Sequence, residues 1–166
     1  ILGGAKVSDK IQLLDRLADF VDTLIIGGAM AYTFFRAQGG ATGNSLVEED
    51  KLDMALSLIA KAKEKGVQLL LPVDSVVADA FAETAAHRIE ASGAITDGWM
   101  GLDIGPKARE EFTAAIAASK TIFWNGPMGV FEMAPFAGGT KAIAEAVAKA
   151  TQTTGAFSLI GGGDSV

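Results

Sequence analysis

The sequence predicts an α/β fold of three layers, a doubly wound parallel sheet with helices on both faces, and two observations carry that prediction. Short apolar runs close at Leu2, Ile26, Leu71, Trp124 and Ile160, and each stops in a glycine or Pro/Asp turn. Stretches of helical period separate the runs, and this alternation of strand, turn and helix is the pattern of parallel strands joined by crossover helices. With 166 residues and 49% hydrophobic content, the chain reads as a single domain, residues 1–166, able to bury a core.

The elements follow in order. Ile1-Leu2 runs into Gly3-Gly4-Ala5-Lys6, after which Ser8 is expected to cap a helix with Ile11, Leu14, Leu17 and Ala18 on one face. Thr23 to Ile26 is a strand, Gly27-Gly28-Ala29 its exit, and Met30 to Gln38 a helix stopped by Gly39-Gly40. From Glu48 to Lys65 the spacing predicts a long helix with Leu52, Ala55, Leu56, Ile59 and Ala62 inward, and Gly66 at its left-handed stop. Val67 to Leu71 is the next strand, leaving through Pro72-Val73-Asp74. Ser75 to Gly101 has no clear period, although Trp99 to Ile104 closes another extended piece. Pro106 then suits the first position of a helix over 107–119. Thr121 to Trp124 is a strand of the buried parallel type, breaking at Asn125-Gly126-Pro127-Met128-Gly129. Phe136 to Thr140 leads into a helix over 141–150, and Phe157 to Ile160 is the last strand, followed by Gly161-Gly162-Gly163-Asp164-Ser165-Val166. The chain starts as though within a strand and ends where a helix should follow a glycine turn, so both ends read as cut from a larger protein.

Charge narrows the function. The net charge of -6, with 14 basic residues scattered among 20 acidic ones, argues against a nucleic-acid partner, which needs clustered Lys and Arg. There is no cysteine and one histidine, His87, so disulfides, thiolate metal sites and a histidine zinc site are excluded. No apolar segment reaches the roughly 18 residues of a membrane span, and no leader opens the chain. A cytoplasmic setting without a membrane partner is the expectation.

Parallel strands that end in turns place unusual residues along one edge, where open α/β sheets bind ligands. Here that edge collects Lys6, Lys10, Gly27, Gly28, Asn125, Glu132, Gly162, Gly163 and Asp164. Two readings of the lysines stand open, solvated side chains on a turn or a seat for an anion near a helix start. The glycines are either turn formers or places where backbone approaches a phosphate or a flat base. Known fingerprints are missing: no G-x-G-x-x-G between strand and helix, no G-x-x-x-x-G-K-[ST], no protein-kinase set and no G-x-S-x-G. What remains is a mononucleotide type of site: lysines for phosphates, an Asp at a glycine turn for Mg²⁺, and a Glu for a ribose hydroxyl.

Six segments in order, ILGGAKVSDK (1–10), IIGGAMAY (25–32), LPVDSVVADA (71–80), GWMGLDIGP (98–106), FWNGPMGVFE (123–132) and IGGGDSV (160–166), resemble the nucleotide-binding, carboxy-terminal domain of the phosphoglycerate kinase family. The resemblance implies a Rossmann-like sheet, ADP or ATP as the bound substrate, and reversible phosphoryl transfer between 1,3-bisphosphoglycerate with ADP and 3-phosphoglycerate with ATP. By motif, Lys6 matches the lysine that contacts the phosphoryl group in flight and Lys10 the one that meets the nucleotide phosphates. Asp164 matches the Mg²⁺ carboxylate, with Gly162, Gly163 and Ser165 beside the phosphates. Gly28, Phe81, Gly101, Leu102 and Val130 match the adenine pocket, Glu132 the ribose contact, and Asn125 and Pro127 the phosphate side of the same turn. Gly4 and Ala5 accompany Lys6 in the nucleotide-binding set. Ala29 departs from the pattern, standing where many members carry a third glycine, and its methyl group is expected near the purine. The family's other, amino-terminal domain and a later glycine-rich segment are not in this sequence, so the domain alone is expected to bind nucleotide without turnover. Two rivals are a non-catalytic nucleotide-sensing domain and a nicotinamide-dependent oxidoreductase, the second lacking its fingerprint.

Overall fold

Three residues at the start of the chain make the middle strand of the sheet. In the computed structural model, which describes residues 1–162, Leu2 bridges Ile26 on one side and Asn125 on the other, both in parallel. Its N–H donates to Ile25 O (2.8 Å) and its carbonyl accepts from Gly27 N (2.8 Å), while Asn125 N donates to Ile1 O and Gly3 N to Asn125 O, both 2.9 Å.

Around this centre the elements run as α1 (Ile11–Leu17), β1 (Thr23–Ile25), α2 (Met30–Ala37), β2 (Ala41–Thr42), α3 (Leu52–Lys65) and β3 (Gln68–Leu70). There follow β4 (Asp74–Ala78), β5 (His87–Ala91), β6 (Ala94–Ile95) and β7 (Met100–Ile104), then α4 (Pro106–Ala117), β8 (Thr121–Asn125), α5 (Gly138–Thr153) and β9 (Phe157–Gly161). Pairing of β1 with β3 and of β8 with β9 is parallel. With Leu2 between them, the main sheet has the order β3, β1, Leu2, β8, β9. Strand order therefore reverses between Leu2 and β8, the topological switch point of a doubly wound sheet.

Side-chain alternation along these strands sorts the core into two layers. Leu2, Leu24 and Ile26 pack with Leu14, Met30, Phe34, Ala55, Leu58 and Ala62 of α1, α2 and α3. Ile25, Ile122 and Trp124 pack with Ala108, Phe112, Ile116, Ile143 and Val147 of α4 and α5 on the other face. The three-layer architecture is the expected one.

Four details differ from the sequence reading. Ser8 does not cap the first helix, because a 3-10 turn at Val7–Asp9 intervenes and Lys10 takes the cap position of α1. In α3 the buried seam is Ala55, Leu58 and Ala62, and Leu56 is 43% exposed; the seam steps by three and four residues, which turns Leu56 away from the sheet. Helix α5 starts at Gly138 and continues to Thr153, beyond the expected 141–150. The segment without a clear period holds a second, antiparallel sheet, β5-β4-β7. Its middle strand, DSVVA, is buried at every position, so it has no polar face to reveal a period of two.

That second sheet also caps helices. Asp74, buried in β4, accepts from Lys107 N (3.1 Å) and Ala108 N (2.8 Å) in the first turn of α4. Asp103, buried in β7, accepts from Gly139 N (2.8 Å) in the first turn of α5. Each carboxylate satisfies helix N–H groups that have no partner within their own helix, where the dipole favours negative charge.

Phe112 is fully buried between α4 and the sheet, whereas Phe20 is 71% exposed. We expect Phe112→Ala to lower unfolding free energy in urea by about 3–5 kcal/mol, and Phe20→Ala to change it by less than about 0.5 kcal/mol.

Candidate functional site

The crevice at the switch point is built from the exits of Leu2, β1 and β8. Gly4 N donates to Pro127 O (3.1 Å), Gly28 N to Met128 O (3.2 Å), and Met30 N, at the start of α2, to Gly4 O (3.1 Å). The three turns therefore lie against one another through backbone. Trp124, fully buried, donates from its indole N–H to Gly126 O (2.7 Å), and Thr140 Oγ1 accepts from Met128 N (3.0 Å). The turn after β8 is thus held from both ends, and Gly126 has φ of 102°, a conformation costly for a residue with a Cβ.

Several glycines of this crevice are small for the protein's own sake. A Cβ on Gly28 would lie 2.4 Å from Gly4 O, one on Gly27 2.3 Å from the Met128 sulfur, and one on Gly101 2.0 Å from the Tyr32 hydroxyl. Backbone and core neighbours already fill these spaces. Gly4 is different, since a Cβ there would meet only the end of the Lys10 side chain, at 3.5 Å.

Lys10 supplies the charge. Its Nζ donates to the backbone O of Asn125 (3.1 Å) and to Asn125 Oδ1. Burial holds the Lys10 ammonium below the ordinary lysine range, opposed by the charge of Asp9. Among the described residues the hydrogen bonds of this partly desolvated ammonium go to neutral oxygens, and a bound phosphate would add a charge-assisted partner. The Asn125 side chain also lies beside Gly161 and Gly162, within 3.2 Å and 3.3 Å of Cβ positions built on those glycines. Asn125 therefore joins Lys10 to the exit of β9. Lys6 is exposed on the turn before α1, and no hydrogen bond of its side chain is found among the described residues.

A second wall rises from β7. Leu102 O accepts from Val130 N (2.8 Å), and Gly101 N donates to Ser45 Oγ (2.9 Å). Leu102 and Val130 share an apolar cluster with Val76, Ala78 and Phe136. Ala29, half-buried, packs with Tyr32, Val77 and Ile95, which places its methyl group in protein packing. Phe81, 61% exposed, sits in the loop between β4 and β5, which Glu83 ties to Ala134 N (3.4 Å). Glu132 is exposed nearby along the chain.

Of the residues singled out in the sequence, the structure brings Gly4, Lys10, Gly28, Asn125, Pro127 and Gly162 together at the switch point, and Gly101, Leu102 and Val130 in the neighbouring wall. Ala5, Lys6, Phe81 and Glu132 stand at the surface without a side-chain hydrogen bond to that set among the described residues. Gly163, Asp164 and Ser165 lie outside the described residues. No group of three or more His, Asp or Glu that could hold a metal occurs among the described residues.

Sequence reasoning missed three supports. Glu48 accepts from Ser8 N (3.1 Å) and Ser8 Oγ (2.6 Å), pinning the lysine turn. Tyr32 donates to Ser75 Oγ (2.8 Å), which pairs with Ser92 Oγ (2.6 Å) beneath Gly101. Asp103 meets Arg109 (3.1 Å) while capping α5. The Glu48–Ser8, Tyr32–Ser75 and Asp103–Gly139 contacts each join residues more than 30 positions apart, so no local pattern announced them.

With this geometry established, comparison with known proteins decides the family. A phosphoglycerate kinase family model matches residues 1–166. The chain belongs to the phosphoglycerate kinase family. Phosphoglycerate kinase of Acidobacterium capsulatum is 60% identical over 167 residues, covering 100% of this chain and 41% of that protein. The cytosolic phosphoglycerate kinase of Nicotiana tabacum is 55% identical with the same coverage. The solved phosphoglycerate kinase of Coxiella burnetii superposes with a TM-score of 0.94 at 47% identity, over 99% of this chain and 42% of that one. The chain thus spans about 41% of the length of the curated family members it matches. No helix among the described residues is long and apolar enough to cross a membrane.

Burial raises the Asp103 carboxyl to about 6, against the pull of its bonds from Gly139 and Ile104 and of Arg109. A carboxyl raised above its unfolded value of about 3.9 contributes stability that is full below that value and lost as pH rises through the folded one. We expect the stability of wild type relative to Asp103→Asn to fall by an amount on the order of 2 kcal/mol between about pH 4 and pH 7, read from urea midpoints across that range.

Proposed function

We propose that this chain, residues 1–166, is the nucleotide-binding, carboxy-terminal domain of a phosphoglycerate kinase and that its switch-point crevice binds ADP or ATP. The observation that carries the proposal is the Lys10 ammonium, partly desolvated and held over the crevice by the backbone and side-chain oxygens of Asn125, in a chain of this family. Phosphates meet Lys10 and the turns at Gly4 and Asn125, with Pro127 on the same side, and Ala5 borders Lys6. Adenine lies toward Gly28, Gly101, Leu102 and Val130, with Ala29 behind and Phe81 as an outer contact, and Glu132 takes the ribose hydroxyls.

The whole enzyme, on this reading, moves a phosphoryl group between 1,3-bisphosphoglycerate and the terminal phosphate oxygen of ADP, breaking the acyl phosphate bond and forming the new phosphate link of ATP. The chain's own contribution is charge and position. Lys10 neutralises the nucleotide phosphates, and Lys6, exposed on the same turn, meets the group in transfer, whose charge spreads over its equatorial oxygens. Mg²⁺ would be held by Asp164 and would shield the phosphate charges, with Gly162, Gly163 and Ser165 beside the phosphates. The 3-phosphoglycerate partner site belongs to an amino-terminal domain of the same protein, brought near by domain closure. The working compartment proposed is the cytoplasm, as in the cytosolic relative from Nicotiana tabacum, with neither nucleic acid nor membrane as partner.

Calorimetric titration with Mg-ADP tests the site. Wild type is expected to bind, with Lys10→Ala and Asp164→Ala each weakening affinity about tenfold or more, the scale of one charge-assisted contact; equal heats in all three would remove the assignment. Because the Lys10 ammonium is depressed by burial, a phosphate raises it again. Binding at alkaline pH should therefore take up protons, seen as heats that vary with buffer ionisation enthalpy, and Lys10→Ala should abolish that variation.

A further inference from the structure

We propose that Glu48 is a positioning residue for the phosphate end of this site, fixing the turn that carries Lys6 and Lys10 and so governing affinity for the phosphate chain rather than for the nucleoside. The inference rests on the assignment of nucleotide to the crevice. It starts from a contact that the packing of the fold does not require. Glu48 is 40 positions from Ser8, and its two carboxylate oxygens take the Ser8 N–H (3.1 Å) and the Ser8 hydroxyl (2.6 Å).

Glu48 is itself held. Its N–H donates to Thr33 Oγ1 (3.1 Å), and Thr33 is buried in α2. The same helix starts at Met30, whose N–H binds Gly4 O (3.1 Å). Helix α2 therefore grips the lysine turn twice, directly at Gly4 and through Glu48 at Ser8, and Lys6 lies between the two grips. Within the turn, Asp9 N donates to Lys6 O (3.3 Å) and Lys10 N to Val7 O (2.9 Å), so fixing Ser8 fixes the backbone of both lysines.

Charge supports the geometry. Burial alone would raise the Glu48 carboxyl, but the Ser8 hydroxyl, the N–H groups of Ser8 and Val7, and the charge of Lys6 bring it below the usual carboxylate range. An ionised carboxylate on several donors makes the stronger, shorter class of hydrogen bond. Lys6 is the cation that acts on it, so Glu48 and the exposed Lys6 side chain attract each other across the turn. Holding a charged group in place before the ligand arrives removes an ordering cost that binding would otherwise carry.

NMR titrations of the chain with Mg-ADP and, separately, with adenosine test the proposal in wild type, Glu48→Ala, Ser8→Ala and Glu48→Gln. Glu48→Ala should weaken Mg-ADP about tenfold and Ser8→Ala about threefold, with adenosine unchanged within about twofold. Glu48→Gln can still accept from Ser8 N–H and donate to the Ser8 hydroxyl, and it should recover most of the loss. If Glu48→Ala does not fold, Ser8→Ala, which removes a single hydroxyl, carries the same comparison. Unchanged Mg-ADP affinity in the alanine variants, or equal losses for Mg-ADP and adenosine, would overturn the positioning role and leave the site assignment in place. Absence of Mg-ADP binding by wild type would overturn the assignment and the positioning role together.

Discussion

Everything at the site depends on the backbone of Ile1, Leu2 and Gly3 running between β1 and β8. Those residues bond to Ile25 and Gly27 on one side and to Phe123 and Asn125 on the other. The pairing closes two half-sheets into one and puts the reversal of strand order beside Gly3. Crossovers leave in opposite directions from that line, so the helices of the two halves diverge and open a crevice above it. The turns at Gly4, Gly28 and Pro127 then fall against one another through backbone hydrogen bonds. Lys10 is the charged group that hydrogen-bonds into this crevice, at Asn125.

The division of labour between packing and chemistry is visible in the glycines. Gly27, Gly28 and Gly101 are required by Met128, by the backbone of Gly4 and by Tyr32. Their absence of side chains lets the walls close, and the flat surface this leaves toward a ligand follows from it. The charged residues behave differently. Lys10 and Asp103 are both shifted by burial against their charged forms, but Asp103 has Arg109 and two N–H partners. Among the described residues Lys10 hydrogen-bonds the neutral oxygens of Asn125. The buried acid serves the fold by capping α5, and the cation is the group left able to gain from an anion.

Much of this was legible in the sequence, because the apolar runs ending at Leu2, Ile26, Leu71, Trp124 and Ile160 lie in or beside parallel pairings with helices between. Local pattern suffices when a strand is short, apolar and stopped by glycine. It fails for β4, where Asp74 and Ser75 are buried beside Val76 and Val77 because their polar groups are satisfied by residues far along the chain. It failed also for Ser8, whose hydroxyl favours a carboxylate 40 positions away over the neighbouring helix. At the site, Asn125 and Gly28 were identifiable because they lie next to strand ends, and Lys10 because it stands at a helix start. Glu48, which holds Ser8 in the lysine turn, lies on a helix approach with no turn signal, and only its contact with Thr33 of α2 links it to the site.

The central claim is that ligand binding is organised by the switch point between Leu2 and β8. Mapping backbone amide shifts of the chain on addition of Mg-ADP tests it most directly. The account requires the largest changes at Gly3 to Lys10, Gly27 to Ala29 and Asn125 to Val130. Changes centred instead on the groove of about 400 Å³ between α1 and α3, lined by Ile11, Met54 and Leu58, or spread evenly over the chain, would contradict it.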